Sequence, residues 1–340
     1  MITERVPGFR EWLETPGGRV PRIATELVFG DRLGAWKARW GIGRLNYIVP
    51  PGLYAIGHPV AADPVVVTAN YKMSYDIVRS QFAGRNLWLL VLETYGINVW
   101  CAAGKGTFGT EELVRRVKAA RLAEVVSHRQ LLLPMLGAVG VAAHKVAQRT
   151  GFMIRYAAIR ATDLPVFLDG GMATTSAMRE MTFTLRERAV LVPVEVVTAI
   201  KPAAIIMLCL ILLGALLGNP GAGIEVAVAY LGAMLAGTVV APILLPWLPG
   251  RSFSIKGAII GVAWSGLSLL LLGGTWNMLA TGAAFLALPA VSAFHALNFT
   301  GCTPYTSRTG VKREMRVALP AMGTAVLAGC ILLVVARLLP

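Results

Sequence analysis

The chain is short of cysteine, histidine and charge, and each shortage excludes something. Cysteine occurs only at Cys101, Cys209, Cys302 and Cys330, and no two are in C-x-x-C spacing. Without that spacing neither a structural zinc site nor an iron–sulfur cluster is encoded, so any electron supply comes from another chain. Charged residues make up 15% of the 340 positions. The start, Met1-Ile2-Thr3-Glu4-Arg5, lacks the apolar core of a signal peptide, so the polar part of the chain is expected in the cytoplasm. Zinc-finger and RNA-binding signatures are missing too. The net charge of +14 is therefore read as basic residues flanking membrane spans and touching anionic lipid, with no nucleic-acid partner.

Apolar residues are plentiful. They form 56% of the chain, and mean hydropathy is +0.64, too apolar for an ordinary soluble protein. Their distribution predicts four parts: an N-terminal arm at 1–43, an α/β domain at 44–160, a charged linker at 161–200 and a membrane domain at 201–340.

The arm carries Arg32, Lys37, Arg39 and Arg44 around Trp36 and Trp40, which suits packing on the domain or on a membrane surface. From Leu45 short β-branched runs alternate with helical stretches. Strands are predicted at Tyr47–Val49, Leu53–Ile56, Pro64–Thr68, Leu87–Leu92, Val125–Val126, Leu131–Leu133 and Met153–Ala158. Helices are predicted at Ser74–Phe82, Glu111–Arg121 (capped by Thr110) and Ala142–Thr150, with an amphipathic helix at Met178–Arg188. Such alternation predicts a parallel, Rossmann-like sheet that binds its ligand outside the carboxyl ends of the strands. Thr68, Asn70 and the Cys101 segment gather on that edge.

Five apolar segments follow, at about 202–218, 226–248, 257–274, 276–297 and 317–336, each near the ~20 residues that cross a bilayer. Arg251 and Lys256, then Arg308, Lys312, Arg313 and Arg316, mark two basic loops. The positive-inside rule places these and the polar domain in the cytoplasm and the C-terminus outside, so the chain is a multi-pass protein of the inner membrane. Ionisable residues are scarce within the spans, which favours an anchor over a conduit. The stretch Asn298–Arg316 is long for a connection and dense in hydroxyls. It is either a solvated basic loop with Cys302 incidental or a cover for whatever Cys101 binds.

The most informative stretch is Asn98-Val99-Trp100-Cys101-Ala102-Ala103-Gly104-Lys105-Gly106-Thr107-Phe108-Gly109. It puts a lone thiol just past a strand end. Asn98 can cap a short helix, leaving Cys101 near its N-terminus with Lys105 one turn on. Both features favour thiolate, the metal-binding form. Ala102, Ala103 and Gly104 leave room for something large and flat. A nucleophilic cysteine needs a histidine base, and sequence alone cannot bring His58, His128 or His144 to it. A metal ligand fits the small-residue surroundings better. The Asp-x-His-x-x-Gly signature of many cobalamin proteins is absent, so a corrinoid here takes a different lower ligand or none.

This stretch resembles the cap-helix motif of the mercury-methylating corrinoid proteins. The resemblance runs from Glu26 through Arg160, including Trp40-Gly41-Ile42-Gly43, Pro51-Gly52-Leu53-Tyr54, Thr68-Ala69-Asn70-Tyr71-Lys72, His128-Arg129 and Leu136-Gly137-Ala138. It resumes at Asn298–Pro304 and Gly310–Arg316. A related Trp-Ala-Ala-Gly-Lys motif, without the thiol, occurs in the corrinoid iron–sulfur protein of acetyl-CoA synthesis. The resemblance implies a cobalamin-type cofactor with the Cys101 thiolate as lower axial cobalt ligand. Asn98, Val99, Trp100, Ala102, Ala103, Gly104 and Lys105 would shape the cap, and Thr68 and Asn70 would contact the cofactor's tail. It implies a methyltransferase that takes methyl from the methyl-folate pathway and passes it to Hg(II), giving methylmercury, with a ferredoxin-like 4Fe–4S partner returning cobalt to its reduced state. A strong thiolate donor opposite the methyl suits a soft electrophile. Two alternatives stay open: a methyl carrier for one-carbon metabolism, and a thiol metal-binding membrane sensor without a corrinoid.

Overall fold

The computed structural model describes residues 6–338, so the first five residues of the expected arm lie outside the described residues. One compact unit runs to Met181, apart from Arg39–Gly41, and a second begins at Thr182.

The first unit is built on a seven-stranded sheet: β1 (Phe9–Thr15), β2 (Gly18–Ile23), β3 (Gly52–Ile56), β4 (Val65–Ala69), β5 (Leu87–Leu92), β6 (Gln130–Leu133) and β7 (Met153–Tyr156), in the order β1-β2-β3-β5-β4-β6-β7. The sheet is mixed, which corrects the parallel sheet expected from sequence. Strands β5, β4, β6 and β7 run parallel, whereas β3 is antiparallel to β5 and β1 to β2. The 1–43 stretch is likewise more than an arm. Its β1–β2 hairpin extends the sheet past β3, turning at Pro16-Gly17 between strands whose charged residues face out.

Alternation along the central strand divides the core. Trp88, Leu90 and Leu92 join one cluster, and Leu87, Leu89 and Val91 the other, as the two-residue period of a strand buried on both faces requires. The helices are α1 (Phe29–Arg39), α2 (Lys72–Arg79), α3 (Val99–Lys105), α4 (Thr110–Ala119), α5 (Leu122–Val125), α6 (Ala143–Thr150), α7 (Leu164–Asp169) and α8 (Ser176–Arg179). Val125, expected in a strand, ends α5. Leu164, Phe167 and Met178, expected in a linker, are buried in the second cluster.

The second unit is helical: α9 (Leu185–Leu216), α10 (Pro220–Leu235), α11 (Ala241–Leu244), α12 (Phe253–Leu272), α13 (Met278–Asn298) and α14 (Arg308–Leu338). Among the described residues it has five helices long and apolar enough to cross a membrane: Leu185–Leu216, Pro220–Leu244, Phe253–Leu272, Met278–Gly301 and Thr309–Ala336. Their number matches the sequence reading, but two boundaries move. The first helix starts at Leu185, where Thr184 and Glu187 form a reciprocal capping box, so Met178–Arg188 is two elements instead of one amphipathic helix. The long loop expected at Asn298–Arg316 shrinks to 303–307, because α13 continues to Asn298, a 3-10 turn covers Phe299–Cys302 and α14 begins at Arg308.

Small residues let α12 and α13 approach closely. A Cβ at Gly257 would stand 2.7 Å from Ala293 Cα, and one at Gly261 would stand 2.5 Å from Pro289 Cα. The Ser292 hydroxyl donates to the Gly257 carbonyl at 2.8 Å. Close backbone approach with a hydroxyl bridge is how helices associate where no hydrophobic driving force exists between them.

Candidate functional site

The site grows from the carboxyl ends of β4 and β5. Asn70 follows β4 and is fully buried. Its Oδ1 accepts from the backbone N–H of Thr94 at 3.0 Å and of Gly96 at 3.3 Å, with the Thr94 hydroxyl 2.9 Å away, and its Nδ2 donates to Glu93 at 2.6 Å. The amide is thus committed to the 93–97 loop. Asn70, expected to contact a cofactor's tail, acts here as the clamp that shapes the loop after β5. The clamp holds Tyr95 at φ 55, a conformation uncommon for any residue but glycine, and Gly96 at φ 71. At Gly96 a Cβ would stand 2.8 Å from Ile48 Cγ2, so the position also needs to be bare.

The loop delivers Asn98, whose side chain accepts the Cys101 N–H at 2.9 Å and caps α3. Gly106 closes the helix in the left-handed conformation at φ 83. Helix α3 packs on the 3-10 turn Met135–Gly140. At Gly140 a Cβ would stand 2.2 Å from the Phe108 carbonyl oxygen and 3.0 Å from Ala103 Cα. Ala102 and Ala103 are buried in that contact. Their smallness therefore serves the seating of the helix, and the room for a ligand comes from elsewhere. Val99, Trp100 and Cys101 are half-buried, whereas Gly104 and Lys105 are exposed. A Cβ at Gly104 would meet nothing within 4 Å, so the outer side of the helix is open at that position.

Thr110 is not the cap of α4. Gly109 holds that position, and the Thr110 hydroxyl accepts the Ala142 N–H at 2.8 Å, tying α4 to the start of α6. Two carboxylates that the sequence did not single out support the loop. The Glu93 N–H donates to Glu112 at 2.8 Å, and Glu112 also pairs with Arg115 and Arg116. Burial pushes the Glu112 carboxyl up, but the Glu93 N–H and the two guanidiniums outweigh burial and hold it below the usual range. Nothing local in the sequence tells that Glu112, in the first turn of α4, reaches back to the residue after β5.

Thr68 stands on the face of the sheet opposite Ala102 and Ala103. It follows Val66 in the alternation of β4 and pairs with Val91, both in the second core cluster. It is buried, and among the described residues its hydroxyl has no hydrogen-bond partner. An unsatisfied buried hydroxyl costs about 1–3 kcal/mol.

The donor set limits which ligand fits. Among the described residues no three His, Cys, Asp or Glu side chains group to hold a metal ion. Cys101 is a free thiol, and one sulfur does not retain a bare cation. A single sulfur suits a metal whose other positions are already filled by a flat macrocycle. The surroundings agree: Leu45 (79% exposed), Ile48 (48%), Tyr95 (69%) and Val139 (80%) present uncovered apolar surface from the segments packed against the Gly96 loop and α3. One thiol, an apolar rim and an open position at Gly104 together fit a large planar cofactor.

Replacing Asn98 with Ala is expected to destabilise α3 by about 0.5–2 kcal/mol through loss of its cap. Hydrogen exchange of the Cys101 amide should then quicken. Unchanged exchange would show that the cap does not hold the thiol's backbone.

Residues 44–162, about a third of the chain, match the family described as CO dehydrogenase/acetyl-CoA synthase delta subunit. The acetyl-CoA decarbonylase/synthase complex subunit gamma of Methanopyrus kandleri is 31% identical over 123 residues, 36% of this chain and 26% of the relative. The subunits of the same name from Methanocaldococcus jannaschii and Archaeoglobus fulgidus are each 36% identical over 92 residues, 26% of this chain and 19% and 20% of the relatives. The chain therefore spans about a fifth to a quarter of the length of these relatives, and the family match covers the part of the sheet unit from β3 to β7, α3 included, but not β1 and β2.

Proposed function

We propose that this chain is a membrane-anchored corrinoid protein in which Cys101 would hold the cofactor's cobalt, that it carries a methyl group, and that Hg(II) accepts the methyl. The observation that carries the reading is the placement of Cys101: a free thiol on a capped helix, at the carboxyl end of the sheet and beside an uncovered apolar rim. The similarity to acetyl-CoA decarbonylase/synthase subunits supports the methyl-carrying part most directly, and favours a one-carbon carrier ahead of mercury. Hg(II) as acceptor rests on the thiol and on the resemblance of Trp100-Cys101-Ala102-Ala103-Gly104-Lys105 to the mercury-methylating motif.

When bound, a corrinoid supplies a cobalt–carbon bond whose methyl is handed to an acceptor. The chain does the rest. Cys101 would hold the cobalt through its sulfur, and Asn98 fixes the backbone at that residue. Through the 93–97 loop Asn70 sets where Asn98 stands. Gly104 keeps the approach open, and the exposed Lys105 places a cation at the end of the cap. The five apolar helices anchor the chain in the inner membrane, with the sheet unit in the cytoplasm and the C-terminus outside. A ferredoxin-like partner supplies electrons, and the methyl comes from the folate pathway.

The test is a choice of acceptors. Full-length protein loaded with methylcobalamin is offered Hg(II), a thiol or a nickel acceptor. Methylmercury as the main product is expected. Transfer to the thiol or nickel but not to Hg(II) would select the one-carbon carrier, and a colourless protein that still binds mercury would overturn both readings.

A further inference from the structure

The second unit has a cavity of about 920 Å³ bordered by α12, α13 and α14. Its lining changes character along its length. Where α12 and α14 begin it is polar, with Arg251, Ser252, Ser307 and Arg313. Further along the helices it is apolar and small, with Ala258, Leu286, Ala290, Ala318, Ala321 and Ala325. The small residues keep the groove open where larger ones would fill it.

The charge at the polar end is unbalanced. Arg251 and Arg313 are exposed, and among the described residues neither has a carboxylate partner. Glu314 is adjacent in sequence but is committed elsewhere. One of its oxygens accepts the Ser252 hydroxyl at 2.7 Å, the Ser254 N–H at 2.7 Å and the Ser254 hydroxyl at 2.8 Å. Its charge is taken up by the first turn of α12 and leaves the two guanidiniums free to take an anion. Tyr305 borders the same end, half-exposed and edge-on to Phe183, in the manner of an aromatic ring at headgroup level.

We propose that this groove holds one anionic glycerophospholipid, its phosphate between Arg251 and Arg313 and an acyl chain along the alanines. Two planar guanidiniums match a phosphate, and an apolar slot leading from them matches the attached chain. The inference rests on the membrane placement of these helices but not on the cofactor or the acceptor.

The test uses the full chain in nanodiscs of mixed phosphatidylglycerol and phosphatidylcholine, with native mass spectrometry of the lipid it retains. Wild type should keep one phosphatidylglycerol in preference to phosphatidylcholine. The double variant Arg251→Gln/Arg313→Gln should lose that preference by roughly thirtyfold, the effect of losing two direct guanidinium–phosphate ion pairs. The control Lys312→Gln/Arg316→Gln removes equal charge from exposed positions outside the groove and should change it by less than about threefold. Ala321→Phe fills the apolar end and should displace the lipid with both arginines intact. Equal retention of the two lipids by wild type, or equal loss in both double variants, would overturn the site. Displacement of the lipid by millimolar inorganic phosphate would assign the arginines to a soluble anion and overturn it as well. A chain that fails to enter nanodiscs would overturn the membrane placement itself.

Discussion

Cys101→Ala is expected to lower methylmercury formation by more than about a hundredfold, beyond the 10–100-fold that loss of a second-shell partner costs a metal site. The change should leave the helix in place. Asn98 caps α3 through the backbone N–H of residue 101, which alanine keeps, and alanine is the best helix former. Ala102, Ala103 and Gly140 still seat the helix on its neighbour. The loss is therefore one of chemistry: a sulfur donor disappears from a correctly built platform. Cys101→His separates donor from bulk, since it returns a ligand atom of weaker donating power and should recover cofactor binding with little transfer to Hg(II). Undiminished methylmercury in cells carrying Cys101→Ala would remove the thiol from the mechanism.

Arg79→Met is expected to cost about 3–5 kcal/mol, the price of leaving buried charge uncompensated. Arg79 is fully buried at the end of α2. Its guanidinium meets Asp31 at 2.7 Å and Asp76 at 2.9 Å, and donates to the carbonyls of Ala24 at 2.6 Å and Glu26 at 3.0 Å. Lys72 completes the ring, 2.6 Å from Asp31 and 2.5 Å from Asp76. Burial pushes the Asp31 carboxyl up, but Lys72 and Arg79 outweigh burial and hold it below its ordinary value. The Asp31 share of stability is accordingly in force above the unfolded carboxylate pKa and fades as pH falls through the lower folded value. Methionine keeps the bulk of Arg79 and removes the charge, so two carboxylates face one ammonium. In the detergent-solubilised chain the thermal transition of the sheet unit should fall by about 10 °C. An unchanged transition would mean that the ring is not what ties α1 and the 24–26 segment to α2.

The elements nearest the site were the most legible. The unbroken apolar run at Leu87–Leu92 is a buried strand to the residue, and Asn98 followed by a small-residue run is a capped helix. The hairpin at Phe9–Ile23 was hidden because its charged residues, Arg10, Glu11, Glu14, Arg19 and Arg22, dilute the alternation of an edge pair. The Pro16-Gly17-Gly18 turn was the available clue. Strand direction was not written locally. Strand β3 is five buried residues with the same pattern in either orientation, so only its pairing with β5 makes the sheet mixed. The roles of Asn70 and Ala103 were also illegible. Both were read as facing a ligand, yet one clamps a loop over twenty residues away in sequence and the other meets Gly140 across the fold. The hydroxyls of 298–316 made it resemble an open loop, but Thr300 is buried in the 3-10 turn that follows α13 and Thr303 is buried just after that turn.

The central claim, cobalt held from below by the Cys101 sulfur, is tested most directly by absorbance and EPR of the full-length protein loaded with cobalamin, wild type beside Cys101→Ala. The wild-type Co(II) signal should lack splitting from a nitrogen ligand, and the visible spectrum should shift when the thiol is removed. Identical spectra from the two proteins would contradict it.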